Sequence, residues 1–404
     1  MTPAVRAPGR LRLCAVDVPA ADLLPYWRPG GFFFERNGDG IAAAGAAATI
    51  TIPPSNRQVA DASERVAAAL ASIEVAGRGA RPVVVGALPF GGGEPATLIV
   101  PRVAIVRRGG RTTAIVAQGA DLPRPDRTFR STPPVVSTVS EPPRREYVAA
   151  VRAARDAIRA GALDKVVLAR TLLLCFADAP DVRSLLASLR AADPSAYTFA
   201  YGEMIGATPE LLIARDGLDV RTEPLAGSAR RGDDQDSDAA AARALLASGK
   251  DHAEHAYVVD AIRAALAPVC DSLDVDGEPS LLSTSRLWHL RTRIHGRLRA
   301  PAPGALALAA ALHPTPAVCG TPPGAARAMI GDLEPVDRGF YAGLVGWIDA
   351  AGDGEWAIQL RCGHVRGATM RLYAGAGIVA GSDPDAELAE TEAKLDVLRA
   401  ALQH

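Results

Sequence analysis

KVVLARTLLLCF (165–176) is twelve residues in which only Lys165, Arg170 and Thr171 interrupt an apolar run. It lacks the polar alternation of a half-exposed strand and is bounded by the GALD turn at 161–164, so it reads as a strand covered on both faces. A strand of that kind needs layers above and below it. EYVAAVRAARDAIRAGAL (146–163) precedes it as a helix closing on Gly161. Further out, GFFFERNGDGIAAAGAAATITIP (31–53) holds two apolar runs joined by NGDG (37–40), a hairpin signal. YTFAYG (197–202), ELLIARDGLDVRTEP (210–224), PVVVGALPF (82–90) and WAIQLRCGHV (356–365) read as further strands. Helices are predicted over 62–77, 233–248, 250–269 and 384–402, and EPSLLSTSRLWHLRTRIHGRL (278–298) mixes loop and strand. Hairpins mixed with helices, instead of regular βαβ units, point to an α+β fold with antiparallel sheets.

The 404 residues suffice for one large domain or two ordinary ones, and 49% apolar residues support a sizeable core. A Pro-, Ser- and Arg-rich stretch at 121–147 reads as a linker or surface loop. It sets off an N-terminal part, 1–144, from a larger part, 145–402, within a single domain spanning 1–404. The 44 basic and 45 acidic residues leave a formal charge of -1. Neither nucleic acid nor an anionic membrane is an expected partner. Five scattered cysteines without a CxxC pair suit a reducing, cytoplasmic setting. No apolar run is long enough for a membrane span, and the first residues lack the apolar core of a signal peptide.

Several residues are of types that carry chemistry. Lys165 heads its apolar strand, where desolvation would let it act as a base; a solvent-facing lysine at a strand edge is the competing reading. Glu210 follows a Thr-Pro turn and is a candidate acid. Glu254 extends the apolar stripe of Tyr257, Val258, Ala261, Ile262, Ala265 and Leu266 toward the start of its helix, either as an inward ligand or as a first-turn carboxylate favoured by the helix dipole. His252 and His255 match no zinc motif and read as polar helix residues. Glu390 and Lys394 form either an ordinary i,i+4 pair or part of a site beside Gly375, Gly377 and Gly381. That glycine pattern is GxGxxxG without a following βαβ unit, which disfavours a dinucleotide site. Two carboxylates such as Glu254 and Glu390 suit a hard cation. Arg361, inside a strand whose Trp356, Ile358, Leu360 and Cys362 share the other face, calls for a carboxylate from a ligand or from the protein. Arg230 and Arg231 read as solvated loop charges.

In their order along the chain, KVVLAR, TPELLIARDG, PLAGSARRG, KDHAEH, LWHL, HPTPAVCG, LEPVDRGFYAGLVGW, GEWAIQLRC, YAGAGIVAGS and ETEAKL resemble the blocks of the chorismate-binding enzymes over about 145–402. The likeness is greatest to the isochorismate synthases. The resemblance implies a large α/β sandwich of two facing antiparallel sheets with outer helices, as in anthranilate synthase component I. It implies chorismate as substrate and magnesium (Mg2+) as cofactor. It assigns Lys165 as general base and Glu210 as general acid, with Glu254 and Glu390 as metal ligands. Arg361, Lys394 and the backbone around Gly227, Gly375 and Gly377 are expected at the substrate carboxylates, and His289 and Tyr373 near its ring. The aminating members lack the lysine, so water is the expected nucleophile. Ala317, where salicylate synthases tend to carry Thr, favours isochorismate synthase over a synthase that goes on to eliminate pyruvate. A binder without turnover is the reading from another class, and the retained acid, base and carboxylates oppose it. A monomer is expected.

Overall fold

The computed structural model describes residues 11–19, 21–76 and 81–402. The NGDG hairpin forms as read: Phe32–Arg36 pairs antiparallel with Asp39–Ile52, and Asn37 and Gly38 take the positive φ of a tight two-residue turn. Asp39–Ile52 pairs along its length with Ala96–Arg108. This long ribbon is irregular between Ala46 and Ala48, beside Gly45 at φ 64°, and belongs to two sheets. One half of Ala96–Arg108 pairs with Val83–Leu88 and the other with Arg111–Ala117.

From the ribbon the first sheet runs through Phe32–Arg36, Tyr197–Tyr201, Met204–Thr208, Cys362–Arg366, Thr369–Ile378 and Lys165–Phe176 to Val135–Glu141. The second runs through Val83–Leu88, Leu344–Asp349, Gly354–Ile358, Leu211–Asp216, Asp219–Thr222 and Ile294–Leu298 to Cys270–Val275. The two expected sheets are thus antiparallel and continuous through the ribbon. Side chains of both meet in one core that includes Phe32, Phe34 and Phe199 with Val85, Ile213, Leu344 and Trp356. The outer face of the first sheet, with Phe33, Leu172, Leu174 and Ile205, is covered by Leu185, Leu186 and Leu189 of helix Val182–Ala192 and by Leu395 and Leu398 of helix Pro384–Ala401. Lys165–Phe176 is buried on both faces for the reason its sequence suggested.

Some local expectations fail. The helix expected over 62–77 spans Gln58–Ala71, and Glu74–Ala76 is instead a short strand parallel to Arg12–Val18; Gly77 lies outside the described residues. The stretch 121–147 is not all loop, because Val135–Glu141 pairs with the lysine strand and Arg144 opens a helix. Sequence 278–298 resolves into three strands, two of which form a small separate sheet with Leu225–Arg230. WAIQLRCGHV is broken: Gly354–Ile358 belongs to the second sheet and Cys362–Arg366 to the first. No helix among the described residues is long and apolar enough to cross a membrane.

Between its pairings with Gly320–Thr321 and Val135–Glu141, the edge of the lysine strand is sealed by an ion pair instead of a strand. Glu334 accepts from the Ala169 N–H at 2.7 Å, and Arg338 donates to the carbonyls of Val167 and Val318, both at 2.7 Å. Arg338 and Glu334 contact each other at 2.5 Å with side chains 4% and 5% exposed. Removing one partner strands the other charge in the interior, which costs about 3–5 kcal/mol. Arg338→Ala is therefore expected to lower the denaturant midpoint by that amount in free energy; an unchanged midpoint would show that the edge is held by something else.

Candidate active site

The chain passes from the first sheet to the second at Pro209–Glu210 and returns at Gln359–Arg361. A side chain on either crossover can enter the gap between the sheets. Glu210 does so after strand Met204–Thr208, with its N–H bonded to Thr208 Oγ1 at 3.3 Å and its C=O accepting from Ile358 at 3.1 Å. Arg361 sits at φ 47°, its carbonyl accepting from the Ala207 N–H at 3.1 Å. The expected strand face shared by Leu360 and Cys362 does not exist, because 359–361 is the crossover itself. Leu360 lines the cleft with Arg361, whereas Gln359 donates to the Leu344 carbonyl.

The cleft is lined by Glu210, Gly227, Ser228, Glu254, His289, Ala317, Tyr341, Arg361, Gly375, Gly377, Glu390 and Lys394, with apolar walls from Val167, Pro209, Leu225 and Val318. Two larger cavities, of about 490 and 640 Å³, flank Arg108 and Trp347 and gather none of the predicted site residues. Chemistry and not size singles out this cleft.

Lys165 is fully buried, and its Nζ lies 3.0 Å from Glu254 Oε1. The solvent-facing reading of Lys165 is therefore excluded. Glu254 projects from helix Gly249–Leu266, whose buried stripe is Glu254, His255, Val258, Val259, Ile262 and Leu266; Tyr257 is exposed instead. Burial works against the Glu254 charge, but Lys165, Lys250 and Lys394 outweigh it and hold its pKa below the usual value. A Cβ on Gly377 would stand 2.0 Å from Glu254 Oε1 and 3.1 Å from Lys165 Cε, so only glycine admits this pair.

Gly375 and Gly377 do not form a loop before the last helix. They lie within strand Thr369–Ile378, opposite Ala169 and Val167. The N–H groups of Val167 and Ala169 point away from that strand, to Cys319 O and Glu334. Each glycine is thus in a non-hydrogen-bonded pair, and its own N–H and C=O face the opposite edge. On that edge Lys394 Nζ donates to the Gly375 carbonyl at 2.8 Å and also contacts Glu390. The next turn of the same helix places Glu387 2.5 Å from Lys250. Three carboxylates and three lysines thus alternate beside the cleft, more than an exposed i,i+4 pair. Among the described residues no three His, Cys, Asp or Glu side chains are grouped as a metal cluster.

Burial pushes the Glu210 pKa up to about 7 against the attraction of Arg361 and Lys165. Burial also holds His289 well below its usual range, with Arg361 and Lys394 adding to the effect, so the ring is neutral. His289 Nδ1 is 2.8 Å from Ser228 Oγ, and its Nε2 is 3.3 Å from Arg361 Nη2. Arg361 has no carboxylate within ion-pair distance among the described residues, which sets aside the internal salt bridge as its partner.

Tyr373 does not line the cleft. It stacks on Tyr341, centroids 5.2 Å apart, and Tyr341 presents its ring in its place. Neither Tyr341 nor Ser228 stood out by residue type. Both lie in quoted blocks, LEPVDRGFYAGLVGW and PLAGSARRG, which were the available signal. His255 is buried, not a polar surface residue, and bonds Thr292 Oγ1 at 2.7 Å. Arg231 pairs with Asp238 at 2.6 Å and lies over the Trp288 ring, while Arg230 is exposed.

Known proteins are similar to this chain over most of its length. The chain is 40% identical to the isochorismate synthase DhbC of Bacillus subtilis, over 96% of this chain and 97% of that protein. It is 36% identical to the isochorismate synthase EntC of Escherichia coli, over 92% and 94%. The solved structure of MenF, the menaquinone-specific isochorismate synthase from Escherichia coli, matches with a TM-score of 0.81 at 28% identity, over 97% of this chain and 95% of that one. The sequence model described as "Chorismate binding enzyme" matches residues 28–403, so the likeness reaches well into the N-terminal third, beyond the 145–402 legible from the blocks alone. With a match over most of its length and relatives alike from end to end, the chain belongs to the chorismate binding enzyme family.

Proposed function

We propose that the protein is an isochorismate synthase, which adds water at carbon 2 of the chorismate ring and expels the hydroxyl from carbon 4. One observation carries the reading: Glu210, a buried carboxylic acid of raised pKa, lines the cleft with an arginine that has no carboxylate partner among the described residues, and the fully buried Lys165 lies behind it against the cleft residue Glu254. Acid and base must be separate groups, each in its own protonation state. For the base step the Lys165–Glu254 ion pair has to open and Lys165 has to be neutral. Lys165 then takes the proton of the attacking water, Glu210 gives its proton to the departing hydroxyl, and the ring double bonds shift between them. Arg361 and Lys394, with the N–H groups of Gly375 and Gly377 that face away from the lysine strand, suit the two substrate carboxylates.

The donor set fits a magnesium ion. Glu254 and Glu390 both line the cleft, are oxygen donors, and are each neutralised by a lysine, and Mg2+ accepts one or two carboxylates with the remainder from substrate and water. Bound there, it would offset the charge of a substrate carboxylate. The scattered free cysteines suit a reducing compartment such as the cytoplasm.

Purified protein given chorismate and Mg2+ is expected to yield isochorismate without enzymatic pyruvate. Salicylate with matching pyruvate would overturn the synthase reading, and unchanged chorismate would overturn the enzyme reading. In the same assay Lys165→Ala should lose activity on the order of 10²–10⁴-fold, as for removal of a general base; a wild-type rate would remove Lys165 from the chemistry.

Glu210 acts only when protonated, and its pKa lies at about 7. The active form is full below that value and is lost as pH rises through it. kcat/KM should therefore descend on the alkaline side, since this parameter reports the free enzyme. A flat profile from about pH 6 to about pH 8.5 would rule Glu210 out as the acid. In a metal titration of EDTA-treated protein, Glu254→Gln should need more Mg2+ for half-maximal rate, and an unmoved titration would place the ion elsewhere.

A further inference from the structure

His289 sits between two other cleft residues, and its contacts fix where its proton is. An arginine guanidinium has only N–H donors, so at the Arg361 contact His289 Nε2 must accept. A neutral imidazole carries one N–H, which therefore lies on Nδ1 and donates to Ser228 Oγ at 2.8 Å. The Ser228 hydroxyl accepts there, and its own proton is left for another partner. Ser228 lines the cleft, so that O–H opens on the ligand space.

We infer that His289 is a positioning residue: held by Arg361 as the Nδ1–H tautomer, it turns the Ser228 hydroxyl into a one-way donor to a substrate carboxylate. The inference rests on the reading of the cleft as a site for a dicarboxylate. A carboxylate only accepts, and the neighbouring Arg361 fork offers only donors. The opposite tautomer would fail at both ends. It would set an N–H against the Arg361 N–H and would draw the Ser228 proton back to Nδ1, leaving hydroxyl lone pairs facing the anion. The chain of donors from Arg361 through His289 to Ser228 therefore has one direction, and that direction recognises an acceptor.

Two measurements test this. In protein labelled with 15N-histidine, the His289 signals, assigned by their loss in His289→Asn, should show a protonated Nδ1 and an unprotonated Nε2. Arg361→Met should mix the tautomers. An Nε2–H tautomer or an imidazolium in the intact protein overturns the inference, and because no substrate is present this outcome is independent of whether chorismate is turned over. In kinetics, Ser228→Ala should raise KM for chorismate roughly tenfold, the scale of a hydrogen bond to a charged group, with a much smaller change in kcat. Ser228→Thr, which keeps the hydroxyl, should restore KM. In a His289→Gln background Ser228→Ala should add little, because the hydroxyl is no longer oriented; fully additive effects would show that Ser228 acts without His289 and would overturn the positioning role.

Discussion

The burial of charge is the constraint on which this structure turns. Lys165, Glu210, Glu254, His289 and Arg361 all lie within an interior dominated by Val, Leu, Ile, Phe and Ala. An isolated charge there is costly, so each must be matched, neutral or reserved for a ligand. Lys165 and Glu254 match each other, Lys394 and Glu390 do the same, and Lys250 meets Glu387. His289 is held neutral, and the raised pKa of Glu210 favours its acid form. Among the described residues the Arg361 guanidinium bonds only the imidazole of His289, which is a weak match for a full positive charge and suits a site awaiting an anion.

The same constraint explains the architecture around the cleft. Two short crossovers between sheets carry Glu210 and Arg361, and a crossover is where a side chain can be buried without competing for a place in a pleated face. Close backbone approach does the rest. Gly377 lets the carboxylate of Glu254 come over the strand to Lys165, and Gly227, at φ 79° in an irregular pairing, clears space beside Asp251 of the same helix. The Arg338–Glu334 pair works in parallel on the far edge of the lysine strand. It satisfies backbone groups that no strand reaches, and so keeps the strand that bears Lys165 in register.

Much of this was legible in the residues. The unbroken apolar run after Lys165 marked an interior strand, and NGDG marked an antiparallel hairpin. The order of the motif blocks drew together most of the cleft. What misled was local pattern at points where tertiary context intervened. WAIQLRCGHV alternates well enough for one strand, yet three residues in its middle change sheets. YAGAGIVAGS has the glycine content of a loop, yet its first glycines continue a strand, because a helix side chain must pass over them. The proline-rich stretch at 121–147 contains a strand, Val135–Glu141, because the lysine strand had an edge to fill.

The sequence by itself determined most element types and the antiparallel character of the sheets, since these follow from periodicity and turn chemistry, and its resemblance to the chorismate-binding blocks pointed to most of the cleft. Tertiary structure alone decided the pairings: Lys165 with Glu254, Tyr341 in the wall instead of Tyr373, and the direction of the hydrogen bonds through His289. Periodicity reports which side of an element is buried. It carries no information on which buried groups from distant segments come within hydrogen-bonding distance, and in this cleft those distances set the protonation states on which the chemistry depends.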